Sequence, residues 1–135
     1  MGAKGEVTLR WREGMVFEGA VTGRPAVTVD ADSVTAMSPV ELLLLAAASC
    51  TAADVVSIMR KQRVELRSLE VAIQGTRREA EPRRFTALHF RFTISGAGAG
   101  EAQARRAIDL SLQKYCSVVA SLAPDTKISY DLSLR

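Results

Sequence analysis

The stretch from Ser38 to Lys61, SPVELLLLAAASCTAADVVSIMRK, sets what this chain can fold into. It opens on a helix start signal. Ser38 suits an N-cap, Pro39 suits the first helical position, and Glu41 completes an S-x-x-E capping box. From Leu42 to Met59 the sole charge is Asp54. A helix over the whole stretch is ~36 Å long. It is apolar on nearly every side, so protein or lipid must surround it. Cys50 lies near the middle, on a face shared with Leu43, Ala46, Ala47, Ala53, Asp54 and Ser57. That face is small and partly polar, and is expected to admit another element close to the thiol. The bulkier Leu42, Leu44, Leu45, Val55, Val56, Ile58 and Met59 are expected to pack elsewhere.

A membrane span is the rival reading of this stretch. The apolar run of about 18 residues is short against the ~20 that a span needs. It would also bury Asp54 at about 2.5–3.5 kcal/mol on insertion scales. A buried helix is the better reading. The N-terminal MGAKGEVTLRWRE has no apolar segment of the kind a signal peptide carries. With only two cysteines, the chain is expected in a reducing cytoplasm, where cysteines are more often free, catalytic or metal-binding than bridged. No C-x-x-C or H-x-x-x-H spacing occurs, so neither a structural zinc nor another cofactor is expected. The net charge is +3, and arginines are scattered in pairs rather than massed. Nucleic-acid binding is accordingly the weakest of the function classes.

On either side of the helix the pattern has period two. Residues 5–12 alternate Val7, Leu9 and Trp11 with polar side chains, as a half-buried strand does. Glu13-Gly14 turns the chain into a second strand over 15–21, Thr22 to Pro25 turn it again, and 26–29 make a third. A polar loop over 30–37 leads to Ser38. After the helix, Leu69, Val71 and Ile73 mark a fourth strand, and a charged tip over 77–84 leads to a fifth over 85–94. The linker GAGAG at 96–100 precedes an amphipathic helix over 101–115, whose apolar face carries Ala104, Ala107, Ile108, Ser111, Leu112 and Tyr115. Cys116, a short helical turn from Ser117 and a last strand over 126–134 complete the chain. The fold class is α+β, with a long central helix between two antiparallel sheets. The whole chain, 1–135, reads as one domain: an N-terminal sheet over 1–37, the helix over 38–61, and the remainder over 62–135. One chain this size leaves such a helix incompletely covered, which points to a dimer.

Two cysteines in helical surroundings are the strongest chemical feature. Small buried core positions account for both as simply as chemistry does. The motif S-P-x-E-L…A-A-x-S-C-T, with K-Y-C-S-V at 114–118, resembles the OsmC/Ohr family of osmotically inducible and organic hydroperoxide resistance proteins. The order of elements resembles that family along essentially the whole chain. The likeness is closest to an OsmC-like branch with the pattern SPxELLL…C…DVVSI and EKYCSV.

The resemblance implies an intertwined homodimer with sites at the subunit interface. It also implies thiol peroxidase chemistry. Cys50 would attack an organic hydroperoxide, Cys116 would resolve the sulfenic acid, and a dithiol reductant would reopen the disulfide. The family's strongest peroxidases carry a Glu directly after the helix-opening Pro, paired with an Arg. That position is Val40 here. Glu41 stands one residue later, roughly 100° around the helix, and its capping role accounts for it. Arg24, in T-G-R-P, is the candidate for the Arg and reads equally as a turn residue. Asp54, four residues after Cys50, would raise the pKa of a neighbouring thiol or accept hydrogen bonds. Lys114 would favour a thiolate at Cys116, and His89 reads as a surface residue on the polar face of its strand. The alternative function is a module of the same fold that holds an apolar ligand, with little or no peroxidase activity.

Overall fold

The computed structural model describes residues 2–135. Two three-stranded sheets are joined in sequence by a long helix, in the order β1 (Thr8–Glu13), β2 (Val16–Ala20), β3 (Val27–Asp30), α1 (Pro39–Lys61), β4 (Glu65–Arg77), β5 (Phe85–Ala97), α2 (Glu101–Leu110), a π-helical turn (Ser111–Tyr115), α3 (Ser117–Ala120) and β6 (Lys127–Leu134). The α+β class expected from the sequence is the class observed. The chain forms two compact units that meet within α1, one running through Leu43 and the other from Leu44 to Arg135.

The first unit is an antiparallel meander, β1-β2-β3, with Leu9 opposite Gly19 and Trp11 opposite Phe17. Gly14 takes a φ of 52° in the first turn, a conformation glycine reaches without steric cost. β1 was expected to be half-buried but is exposed along its whole length. Alternation gives the strand an apolar face, on which Leu9 and Trp11 are exposed. The polar loop after β3 is organised by Asp30, whose carboxylate accepts from the backbone N–H groups of Asp32, Val34 and Thr35 and from the Thr35 hydroxyl. These donors hold its pKa below the ordinary carboxylate value.

The helix start is the one the sequence announces. The Glu41 N–H donates to Ser38 Oγ at 3.3 Å, and the Ser38 N–H donates back to the Glu41 carboxylate at 2.9 Å. The Ser33 hydroxyl donates to the same carboxylate. At the other end, Arg63 adopts a φ of 61° and the Val64 N–H returns to the Met59 carbonyl at 3.0 Å. A left-handed residue thus stops the helix and delivers the buried Val64.

The second unit holds the core. Leu88, Phe90, Phe92 and Ile94 alternate along β5 and are almost fully buried. An extra residue opposite the Thr76/Arg77 step brings Phe85 onto the same buried face. Gly75 leaves room on that face, since a Cβ there would lie 2.4 Å from the Phe85 ring and 2.9 Å from Leu44 of α1. From α1, the stripe Ala47, Thr51, Val55 and Met59, with Ala48, is buried. By length and composition α1 is apolar enough to cross a membrane, but this stripe is buried within the protein.

Two expectations need correction here. The second sheet is mixed rather than antiparallel: β4 and β5 are antiparallel, but β5 and β6 run parallel, with Phe90 opposite Tyr130. The helical segment between β5 and β6 carries the chain back to the starting end of the sheet, which a parallel pairing requires. The second correction concerns the helix over 101–115, which is α-helical only to Leu110. The wider turn that follows buries Ser111, leaves Leu112 half-buried and puts Tyr115 in solvent at 50% exposure. One extra residue per turn rotates the last side chains off the stripe that a 3.6-residue period predicts.

Candidate thiol site

The two cysteines lie 66 positions apart in sequence numbering, and both are free thiols. α1 supplies Cys50 and the π-helical turn delivers Cys116. In that turn the Cys116 N–H donates to the Ser111 carbonyl at 2.8 Å. The turn is gripped from α1 at two points. The Ser111 hydroxyl donates to the Asp54 carboxylate at 2.8 Å, and the Thr51 hydroxyl donates to Cys116 Sγ at 3.4 Å. Thr51 and Asp54 are three residues apart, so they present neighbouring side chains to one element. Cys116 also caps α3, its sulfur accepting from the Val119 N–H at 3.4 Å.

The environments of the two sulfurs differ. Cys116 is buried, with 4% of its surface exposed, whereas Cys50 is half-buried. Burial pushes the Cys116 thiol above its ordinary pKa, the Thr51 and Val119 donors pull it back, and the adjacent Cys50 thiol pushes it up again. The geometric link between the two positions is Thr51, which follows Cys50 in α1 and whose hydroxyl reaches Cys116 Sγ at 3.4 Å. Asp54 and Tyr115, each close in sequence to one of the cysteines, line a cavity of about 330 Å³ with Ser57, Ile58, Lys61 and Arg106.

A family model described as OsmC-like protein matches residues 30–131. The chain belongs to the OsmC-like family. It is similar to Protein YhfA of Escherichia coli K12, at 37% identity over 93% of this chain and 94% of that one. Among solved structures, a hypothetical protein from Aquifex aeolicus VF5 is 30% identical, with a TM-score of 0.85 over 100% of this chain and 99% of that one. An organic hydroperoxide resistance protein, OsmC, from Legionella pneumophila shares the fold at 13% identity, with a TM-score of 0.68 over 98% and 99% of the two chains.

In this OsmC-like chain the remaining residues singled out from sequence fall as follows. Glu41 caps α1, and its carboxylate pKa is lowered by the Ser33 and Ser38 donors. Arg24 sits in the turn after β2, where its N–H donates to the Val21 carbonyl at 3.0 Å. Asp54 is engaged by Ser111. The Lys114 ammonium lies 5.2 Å from the centroid of the Tyr115 ring. His89 is held on its strand face by Ser129, 2.7 Å from Nδ1, and by Asp131, 3.0 Å from Nε2.

The face expected to receive a close neighbour does so only in part: Ala47 is buried and Asp54 accepts from Ser111. Leu43, Ala53 and Ser57 are exposed, and the contact to Cys116 comes from the adjacent stripe through Thr51. Helical position fixes which residues share a face, but a helix apolar all round does not say which face is covered. Thr51 and Ser111 were the residues sequence reasoning missed. For Thr51 the available signal was a lone hydroxyl in the four-residue repeat Ala47, Thr51, Val55, Met59.

Proposed function

We propose that this protein is a thiol peroxidase that reduces organic hydroperoxides in the cytoplasm through Cys50 and Cys116, as a homodimer of the SPxELLL…C / EKYCSV branch. Supporting this reading, the half-buried Cys50 is followed in α1 by Thr51, whose hydroxyl donates to the buried Cys116 sulfur at 3.4 Å. In the first step the Cys50 thiolate attacks one peroxide oxygen and the O–O bond breaks. Cys50 becomes a sulfenic acid, and the departing alkoxide takes a proton to leave as an alcohol. In the second step the Cys116 thiolate attacks the Cys50 sulfur, the S–S bond forms, and hydroxide leaves as water. A dithiol reductant then returns two electrons by thiol–disulfide exchange. Disulfide formation needs Cα atoms about 4.4–6.8 Å apart. The homodimer is supported by apolar side chains that one chain leaves exposed, among them Leu9, Trp11, Val27 and Leu45.

A sub-stoichiometric pulse of organic hydroperoxide is expected to protect both thiols from alkylation. Cys116→Ser should leave a trappable sulfenic acid on Cys50, and Cys50→Ser should abolish both signals. If both thiols of the folded native protein stay alkylatable after peroxide, the peroxidase reading fails. The apolar-ligand reading then takes its place. Supporting it is a groove of about 370 Å³ in the first unit, lined by Val7, Leu9, Val21, Pro25, Val27 and Val29.

A further inference from the structure

Burial alone makes Cys116 a poor thiolate, because a buried charge loses its hydration. A resolving sulfur must nevertheless reach the charged form, since the thiolate is the nucleophile. Whatever donates to that sulfur therefore sets how easily it enters the reaction. Two donors reach it, the Val119 N–H at 3.4 Å and the Thr51 hydroxyl at 3.4 Å. The Val119 N–H is backbone and belongs to the cap of α3. The Thr51 hydroxyl is a side-chain choice at a position with 0% exposure, in a stripe otherwise made of Ala47, Val55 and Met59. Valine has nearly the same shape and would fill that position without a polar atom.

We propose that Thr51 is a positioning residue of the thiol pair: its hydroxyl holds Cys116 Sγ in place and stabilises that sulfur as a thiolate for attack on oxidised Cys50. Thr51 directly follows Cys50 in α1, so the residue supporting the second thiol is bonded to the one carrying the first. One turn further on, Asp54 fixes the other end of the same π-helical turn through Ser111. The Cys116 sulfur is thus located from α1 both directly and through the turn that carries it. The other ionisable groups around the pair are Cys50 and Asp54 on α1 and Lys114 and Tyr115 in the turn, with Lys61 and Arg106 sharing a cavity with Asp54 and Tyr115.

This assignment rests on the peroxidase reading for its purpose, but its test does not. In a Cys50→Ser background, Cys116 is the sole thiol, and its alkylation by a small uncharged reagent can be followed against pH without peroxide. Thr51→Val is expected to move the alkylation midpoint to higher pH and slow alkylation at a fixed pH about tenfold, the loss of one hydrogen bond to a charged sulfur. Thr51→Ser, which restores the donor, should return the profile toward that of the parent. Circular dichroism checks folding, and Thr51→Ala serves as the donor-free variant if Thr51→Val is unfolded. Profiles unchanged in donor-free variants, or shifted as far by Thr51→Ser, overturn the proposal. With Cys50 present, Thr51→Val should also lengthen the life of the peroxide-generated sulfenic acid. If peroxide leaves both thiols of the native protein alkylatable and Cys116→Ser gives no sulfenic acid while the midpoint still moves, the peroxidase reading has failed and the support of Cys116 by Thr51 stands.

Discussion

The two sheets have three strands each and similar alternation, yet opposite fates in one chain. In the first, Leu9 is 61% exposed, Trp11 64% and Val27 52%. In the second, Phe90 and Ile94 are 0% exposed and Phe92 1%. Period-two patterning shows that a strand owns an apolar face, but it says nothing of what covers that face. The second sheet is filled by stacked and edge-on aromatics, Phe90 on Phe92 and Phe92 against Tyr130, with ring centroids 5.7 and 5.8 Å apart. The first has a glycine opposite Leu9 and a short β3, and its apolar side chains stay exposed.

The sharpest break of this comparison is a truncation in each sheet. Phe90→Ala should cost about 3–5 kcal/mol in chemical denaturation, independent of protein concentration. Trp11→Ala should give a loss that grows as the protein associates. A concentration-independent loss within about 0.5 kcal/mol would instead mark Trp11 as a free surface residue.

Glycines test the same contrast from the overpacking side. Gly75→Ala forces a Cβ to within 2.4 Å of the Phe85 ring, so the core must shift. Thermal or denaturant unfolding should show a loss of about 1–3 kcal/mol. At Gly19 the added Cβ meets Leu9 Cδ1 at 3.7 Å, an ordinary contact. Gly19→Ala should be within about 0.5 kcal/mol of the parent in the same measurement.

A smaller effect belongs to the start of α1. Ser38→Ala removes the cap acceptor and should cost about 1 kcal/mol by urea titration. Glu41→Gln keeps a capping-box partner and should change stability less than Ser38→Ala does. If Glu41→Gln abolished peroxide turnover in a folded protein, Glu41 would belong to the site rather than to the cap.

The smallest effect distinguishes the two units in acid. Asp30 has a folded pKa below its unfolded value, so its stabilisation is present above the unfolded pKa and is lost as pH falls through the folded one. Hydrogen exchange at the Val34 and Thr35 amides, which donate to this carboxylate, should therefore accelerate on acidification. Asp30→Asn should flatten that pH dependence, with the β4–β5 amides unaffected. An equal acid response in both regions would remove Asp30 as its cause.

What the sequence determined by itself was local. The Ser38-Glu41 box, the span of α1, the alternation of β5 and the turn at Gly14 depend on neighbours within a few residues, and each stands where the residues put it. The likeness of the cysteine motifs to the OsmC/Ohr family was legible for the same reason, being written in short contiguous runs. The tertiary structure decided what depends on distant groups. It paired β6 parallel to β5, widened the helix after Leu110 into a π turn, and chose the Thr51 stripe of an all-round apolar helix as the covered face. None of these leaves a periodic trace. An extra residue in one turn, or the choice among equally apolar faces, is settled by packing across the fold, where one well-placed hydroxyl meets one buried sulfur.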